Sequence, residues 1–273
     1  MGKKTQAFFV VSSGRSGTAM LHKVLEAAGD IEMHHEYMVH IEQPLAVRRY
    51  LGLATAEDAK AILRDTHAAA IRYSTAAHWG DSSNKLSWLI PELAALLPEA
   101  KFVHLVRDGR KVAGSYFRKL FAECYDDRSV AILQAHLDDP ASNPAPPPEK
   151  KYWWPIAKDP AFRDFDQFAR ISWHWAEVNR VISDSLAALP ADRSHFARLE
   201  DLHVSPDGVK GLFQFLNLSY RDEHFAMFAR PHNVNRPEDQ LLAPRQAACF
   251  DTIAGGMMAK LGYADTPEYV VNY

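Results

Sequence analysis

The chain has 273 residues, of which 47% are hydrophobic and 24% are charged, and its formal net charge is −3. The composition is typical of a globular protein, and the lack of a basic excess argues against a general nucleic-acid or membrane-surface binder. The two cysteines, Cys124 and Cys249, fit neither a disulfide framework nor a zinc motif. They favour a reducing compartment, and we expect the cytoplasm.

The first predicted element is the apolar run AFFVVS at 7–12. This run is too short for a membrane helix and lacks the pattern of a secretory signal, so it predicts a strand buried on both faces. A helical pattern at 18–29 and a second short strand, DIEMHH at 30–35, follow it. This strand–loop–helix–strand order is typical of the start of a parallel α/β sheet.

The loop between the first strand and the first helix reads SSGRSGTAML, 12–21. A tight glycine turn before a helix exposes backbone N–H groups, and together with the helix dipole they favour an anion. Gly14 and Gly17 allow positive φ, and Arg15 adds a permanent charge. The lysine of the nucleotide-triphosphate motif G-x-x-x-x-G-K-[ST] is missing. The loop therefore suits an anion held without a dedicated metal, or it is a plain strand–helix turn.

Further along the chain, the run KFVHLV at 101–106 predicts another buried strand, and SHFARLEDL at 194–202 predicts a late strand running into a turn. The proline-rich stretch 137–155 predicts a loop. Other helices are predicted at 42–53, 56–71, 88–100, 107–121, 165–189, 209–218 and 246–263. We expect a P-loop-like α/β fold of three layers, in which a central parallel β-sheet is flanked by helices.

We expect one domain over residues 1–273, with an insertion or cap around 120–165. No internal repeat or clean linker separates two cores. The insertion is rich in proline and aromatic residues, including Trp153 and Trp154, which suit a pocket wall or lid.

A second cluster, KFVHLVRDGRKVAGSYFRK at 101–119, follows the later strand. Arg107 stands at the end of this strand, where parallel sheets place ligand contacts. Ser115 follows eight residues later in the next predicted helix. Taken alone, RDGR also fits a turn in which Asp108 and Gly109 have local roles.

Taken together, SSGRSGTAML and LVRDGRKVAGSYFR resemble the sulfotransferases that use 3′-phosphoadenosine 5′-phosphosulfate (PAPS), most closely the bacterial and Golgi-type branch with its G-R-S-G-T loop. The resemblance extends to HFARLEDL, LFQFLNL and the closing MAKLGY. It implies that Arg107 and Ser115 hold the 3′-phosphate of the donor. It also implies a binding loop for the 5′-phosphosulfate that comprises Gly14, Arg15, Ser16, Gly17, Thr18 and Ala19.

The resemblance implies in-line transfer of a sulfuryl group from PAPS to a hydroxyl or amine, with Arg15 stabilising the charge that grows on the bridging oxygen. We expect no metal requirement, because a sulfuryl group carries less charge than a phosphoryl group. The expected partner is a small-molecule or carbohydrate acceptor, without nucleic acid or membrane insertion; the oligomeric state is left open. The alternatives are a P-loop-type kinase of small metabolites and a non-catalytic nucleotide-binding protein that keeps the fold.

The segment HHEYMVH, 34–40, holds the candidate general base. It nearly matches the zinc-protease motif H-E-x-x-H, but His35 and His40 are five residues apart, so we set a metal aside. Glu36 is the preferred base because related bacterial sequences often show a His-Glu pair here. His35 or His34 is the alternative, since histidine titrates near neutral pH; the pair also fits a purely structural role at the strand end.

The sequence leaves the roles of two further segments undecided. Many relatives carry a lysine before Thr-Pro near the donor, whereas this chain reads WGDSSNKL at 79–86, with Lys85 a few positions on. We expect Asp81 either to face the acceptor or to have a structural role. The segment 229–239 is a further candidate to close over the nucleotide, through Arg230 or Arg236.

Overall fold

The computed structural model describes residues 5–228 and 241–268, and within these ranges five strands form one all-parallel sheet. The strand order is β2-β3-β1-β4-β5. The predicted α/β class with a central parallel sheet is confirmed. The strands are β1 (Gln6–Val11), β2 (Ile31–His35), β3 (His78–Ser82), β4 (Lys101–Val106) and β5 (Ser194–Arg198).

Helices connect the strands, and the described residues contain twelve α-helices. A π-helical turn at Arg64–Ala68 joins α3 to α4. The helices are α1 (Thr18–Glu26), α2 (Val39–Leu51), α3 (Ala56–Leu63), α4 (Ala69–Tyr73), α5 (Ile90–Leu96), α6 (Gly109–Lys119), α7 (Asp127–Asp138), α8 (Gln167–Ala187), α9 (Leu199–Val204), α10 (Pro206–Phe215), α11 (Asp222–Phe228) and α12 (Pro244–Lys260).

The sheet has a hydrophobic core on each face, which gives the three layers. Alternate residues of β1 serve opposite cores: Phe9 packs with α3, α5 and α8, whereas Phe8 packs with α1 and α10. Both phenylalanines are fully buried. A strand covered on both faces reads as a continuous apolar run, which explains why β1 and β4 were visible in the sequence.

Strand β3 was not predicted, although it lies between β1 and β2 in the sheet. Its sequence, HWGDS, offers a single large apolar residue, Trp79, so no hydrophobic pattern marks it. Gly80 is required by packing, because a Cβ there would lie 2.4 Å from the Phe8 ring and 2.6 Å from Met33 Sδ. The strand forms because its backbone pairs on both sides.

The segment 120–165 folds onto α6 and α8 around a third buried cluster that includes Trp153 and Trp154. The predicted loop at 137–155 begins at the end of α7 and contains a short 3-10 turn at Lys150–Tyr152. Gln43 Nε2 donates to Lys150 O at 2.9 Å and to Trp153 O at 2.8 Å. These bonds attach the segment to α2, beside the carboxyl ends of the strands.

Candidate active site

A cleft of about 410 Å³ lies at the carboxyl edge of the sheet, where open parallel sheets bind ligands. The ends of four strands, β1 to β4, contribute residues to it. The sequence-predicted residues that line the cleft are Gly14, Arg15, Gly17, Thr18, Ala19, His35, Glu36 and Arg107. Residues that were not predicted as site residues also line it, among them Asn84, Lys85, Glu123, Lys150 and Trp154.

The glycine loop between β1 and α1 is a left-handed turn. Gly14 has φ of 76°, Arg15 of 53° and Gly17 of 89°. Gly14 also packs closely on α6, since a Cβ at this position would lie 2.0 Å from the Tyr116 hydroxyl. The two glycines are therefore required both for the backbone conformation and for the approach of neighbouring side chains.

Serine hydroxyls hold the loop from within. Ser12 Oγ accepts from Gly14 N at 3.0 Å, and Ser16 Oγ donates to Gly14 O at 3.0 Å. Ser16 is fully buried, and its hydroxyl also lies 3.0 Å from Ser13 Oγ. Its side chain is therefore occupied inside the loop, and Ser16 is not among the residues that line the cleft. Thr18 and Ala19 open α1 at the cleft, where N-terminal amides and the dipole favour an anion.

The two predicted anion-binding segments meet in space. Arg107 Nη1 donates to Arg15 O at 3.1 Å, and Arg15 Nε donates to Ser115 Oγ at 3.0 Å. Burial lowers the pKa of Arg107 from its ordinary value, although Glu200 opposes the effect and Arg15 adds to it. Arg15 thus contacts residues that lie 92 and 100 positions later in the chain. The two guanidinium groups and the Ser115 hydroxyl form a concentrated positive site.

Asp108 has a structural role in the same turn. Its Oδ1 accepts from Arg110 N at 2.9 Å and so caps the N-terminus of α6. Its own backbone N donates to Glu200 Oε1 at 2.9 Å. The RDGR sequence thus forms a turn that caps α6, and its first arginine, Arg107, lines the cleft.

Glu36 follows β2 and faces two lysines across the cleft. Its Oε1 is 3.4 Å from Lys85 Nζ and its Oε2 is 3.8 Å from Lys150 Nζ. Burial alone would raise the pKa of Glu36, but Lys85, Lys150 and His35 outweigh it and hold the pKa below its ordinary value. Glu36 is therefore a carboxylate at neutral pH, able to accept a proton. Its neighbour His35 is exposed and its Nδ1 lies 2.8 Å from Ser82 O.

Lys85 connects this carboxylate to the glycine loop. Its Nζ donates to Asn84 Oδ1 at 2.6 Å, Asn84 Nδ2 donates to Tyr116 Oη at 3.2 Å, and that hydroxyl donates to Ser13 O at 2.9 Å. Burial lowers the pKa of Lys85, whereas Glu36 opposes the shift. The sequence signal for Lys85 was its position a few residues after the place where relatives carry lysine.

The alternative base His34 is not among the residues that line the cleft. His34 points away from the cleft: its Nε2 is 3.1 Å from Glu32 Oε1, and its ring packs on Tyr37 and Trp79. The segment 229–239, with Arg230 and Arg236, lies outside the described residues. Among the helices that are described, none combines the length and apolar character that a membrane span requires.

Comparison with known proteins identifies the family. A family model described as Sulfotransferase family matches residues 7–140, which include the glycine loop and the Arg107 segment. Residues 7–140 thus match the family that the sequence resemblance indicated. A comparison with curated proteins found no match.

Solved structures show a similar fold at low sequence identity. A sulfotransferase from Alicyclobacillus acidocaldarius is 14% identical with a TM-score of 0.54, and the match covers 94% of each chain. The sulfotransferase domain of the Synechococcus PCC 7002 olefin synthase is 16% identical with a TM-score of 0.52, covering 97% of each chain. A sulfotransferase from Mycobacterium avium is 11% identical with a TM-score of 0.56, covering 94% of this chain and 77% of the other.

Proposed function

We propose that this protein is a sulfotransferase that moves a sulfuryl group from PAPS to a hydroxyl or amine of an acceptor. The observation that carries the proposal is the direct bonding of the glycine loop to the Arg107–Ser115 segment through Arg15. A donor with separate 5′-phosphosulfate and 3′-phosphate groups requires two anion sites in one cleft. Backbone amides at 15–19 serve the first group, since the Gly14 amide is bonded to Ser12 Oγ, and Arg107 with Ser115 serves the second.

In the proposed reaction the acceptor oxygen or nitrogen attacks sulfur, a new bond to sulfur forms, and the bond from sulfur to the bridging phosphate oxygen breaks. Adenosine 3′,5′-bisphosphate leaves with the electron pair, and Glu36 takes the acceptor's proton. Arg15 and Lys85 both line the cleft. Their proposed role is to stabilise the negative charge that develops on the leaving group. The cations present supply this stabilisation, so the proposal includes no metal.

The two lysines near Glu36 give it a further property. In the free protein they lower its pKa, which keeps the carboxylate ionised but makes it a weak base. The negative groups of the donor compete for the charge of Lys85. Donor binding therefore raises the basicity of Glu36 when a proton must be removed.

We further propose that the segment 120–165 is the acceptor-side wall of a single domain. It contributes Glu123, Lys150, Lys151 and Trp154 to the cleft that the glycine loop also lines. An aromatic face beside charged groups suits a small-molecule or carbohydrate acceptor that has an apolar face and a polar edge.

Thermal shift tests the ligand class. Adenosine 3′,5′-bisphosphate without Mg²⁺ is expected to raise the melting temperature, and ATP–Mg²⁺ is not. Stabilisation by ATP–Mg²⁺ alone would contradict the proposal and favour a kinase. Mass spectrometry of metabolite extracts incubated with PAPS then identifies the acceptor by its gain of one sulfuryl group. Bisphosphate binding without turnover on any acceptor pool would indicate a non-catalytic nucleotide-binding protein.

Two variants test the residue roles. Arg107→Ala is expected to weaken bisphosphate binding about 10- to 100-fold, the loss of roughly 1.5–3 kcal/mol from a charged hydrogen-bonding group. Arg180→Ala, on the surface of α8, is the control. Glu36→Gln is expected to leave calorimetric binding nearly intact and reduce kcat about 10²- to 10⁴-fold. Loss of turnover in Glu123→Gln with retention in Glu36→Gln would reassign the base.

A further inference from the structure

Three titratable side chains meet in the core directly behind the cleft. His67 Nε2 lies 2.7 Å from Glu42 Oε1 and 3.6 Å from Asp81 Oδ2. Their side chains are at most 2% exposed. The rings of Phe9, Tyr37 and Trp79 surround His67 at centroid distances of 5.2 to 6.2 Å. The three polar atoms thus converge in an otherwise apolar part of the core.

Charge balance in this cluster depends on His67. Two carboxylates in a dry site repel each other and lose their hydration, which is costly unless a cation or hydrogen bonds compensate. Burial alone would lower the pKa of His67, but Asp81 and Glu42 outweigh it and raise the pKa well above its ordinary value. This direction favours the imidazolium form of His67 at neutral pH, whereas burial raises the pKa of its partner Glu42 to about 7.

The same two carboxylates hold both segments that face each other across the cleft. Asp81 Oδ1 accepts from Tyr37 N at 3.2 Å, the residue after Glu36. Glu42 Oε2 accepts from Ser83 Oγ at 2.9 Å, and that hydroxyl accepts from Lys85 N at 3.2 Å. His67 is therefore linked through Asp81 to Tyr37, the neighbour of Glu36, and through Glu42 and Ser83 to the backbone of Lys85.

The backbone around Glu36 requires such support. Glu36 and Met38 have φ of 57° and 55°, a conformation that is unfavourable for residues with side chains. Glu36 N donates to Ser82 O at 3.2 Å, so the turn is held to β3 on both sides of the Glu36 Cα. His67 itself lies in the π-helical turn at Arg64–Ala68, a type of irregularity that is frequent near functional sites.

We propose that His67, bridging Glu42 and Asp81, is a positioning residue that sets the distance between Glu36 and Lys85. We call the three residues the buried clamp. The buried clamp rests on the proposed function, because it acts through the proposed base and its lysine partner. It touches neither donor nor acceptor, since it lies outside the cleft.

Nitrogen-15 NMR of histidine side chains tests the charge state without any activity measurement. One histidine is expected to keep both ring nitrogens protonated through neutral pH, and its signals are expected to vanish in His67→Gln. A neutral His67 in this spectrum would overturn the buried clamp. Metal analysis after dialysis is a second test of the charge of His67. A stoichiometric divalent metal would make His67 a neutral ligand and would also overturn the buried clamp.

Kinetics of His67→Gln test positioning. We expect kcat to fall about 10- to 100-fold, the scale of a misplaced catalytic group, while calorimetry shows nearly unchanged binding of adenosine 3′,5′-bisphosphate. His104→Gln is the matched control, because His104 is also a buried histidine with one side-chain partner, Asn179. Equal losses of kcat in the two variants at pH 7.5 would mean that the effect is general core damage.

A double variant separates charge balance from packing. If the imidazolium balances two carboxylates, removing one negative charge should offset its loss, so His67→Gln/Glu42→Gln should have a higher kcat than His67→Gln alone. Losses that simply add would overturn the buried clamp. If His67→Gln does not fold, the Asp81→Asn variant is measured instead. The side-chain oxygen of this asparagine can still accept from Tyr37 N, as Asp81 Oδ1 does. An unchanged kcat in Asp81→Asn would also overturn the proposal.

The two proposals fail in different ways. Turnover is measured as release of adenosine 3′,5′-bisphosphate from PAPS with the acceptor found by mass spectrometry. A wild-type protein without turnover contradicts the proposed function, whereas the NMR spectrum still tests the charge of His67. Turnover that survives in His67→Gln contradicts the buried clamp alone.

Discussion

The close packing of the glycine loop on α6 leads to a quantitative prediction for Gly14→Ala. Gly52 at the end of α2 provides the matched control, because its φ of 80° is nearly that of Gly14, 76°, and a Cβ there would meet nothing within 4 Å. Both substitutions place an alanine in the left-handed region. Only Gly14→Ala also displaces Tyr116 and Asn84, whose polar atoms would lie 2.0 Å and 2.5 Å from the new Cβ.

The expected magnitudes follow from these contacts. The left-handed conformation costs an alanine about 1–2 kcal/mol, and this applies to both variants. In Gly14→Ala the hydrogen bonds from Tyr116 to Ser13 O and from Asn84 to Tyr116 are also disrupted in a buried setting. Unpaired buried polar groups cost about 1–3 kcal/mol each. We therefore expect the free energy of unfolding to fall by about 3–8 kcal/mol in Gly14→Ala and about 1–2 kcal/mol in Gly52→Ala.

Urea denaturation followed by tryptophan fluorescence measures both free energies of unfolding. A third arm removes the obstructing atom: in a Tyr116→Phe background the cost of Gly14→Ala should decrease, because the hydroxyl at 2.0 Å is gone. Equal destabilisation by Gly14→Ala and Gly52→Ala would refute the reasoning, since it would leave backbone strain as the whole effect.

Two further predictions concern protonation. Lys85→Met removes a cation that lowers the pKa of Glu36, whereas burial, which raises this pKa, remains. The acidic limb of the pH–kcat profile should therefore move to higher pH. A limb that does not move would exclude Glu36 as the titrating base. Burial lowers the pKa of His104 to about 4 from 6.5, against the opposing hydrogen bond to Asn179. Between these values the folded state binds fewer protons than the unfolded state, so stability is lost as pH falls from 6.5 to 4. The full loss is about 3 kcal/mol, and His104→Gln should flatten the pH dependence of the melting temperature in this window; an unchanged slope would contradict the assignment.

The elements that sequence reasoning located were those with a strong local signal. The apolar runs of β1 and β4, the glycine loop and the Arg107 segment all carry their pattern within about ten residues. Arg15, Arg107 and Glu36 consequently reached the same cleft in the structure. The boundaries shifted by a few residues: α2 begins at Val39 rather than at 42, and the late turn after β5 is the helix α9.

The sequence did not reveal the features that depend on partners from distant segments. Strand β3 has little apolar pattern of its own and forms because β1 and β2 pair with it on either side. Lys85 gains its importance from the 3.4 Å approach to Glu36, 49 residues earlier. Neither the spacing nor the composition of residues 79–86 predicts this distance.

The sequence by itself determined the fold class of the protein, because a parallel α/β sheet and a glycine turn between a strand and a helix produce local hydrophobic and glycine patterns. Tertiary structure alone decided the electrostatics of the site. The pKa of Glu36 depends on lysines from β3's end and from the segment 120–165, and the charge of His67 depends on carboxylates from α2 and β3. Burial and distances of a few ångströms set these energies, and both arise only when segments far apart in the chain pack together.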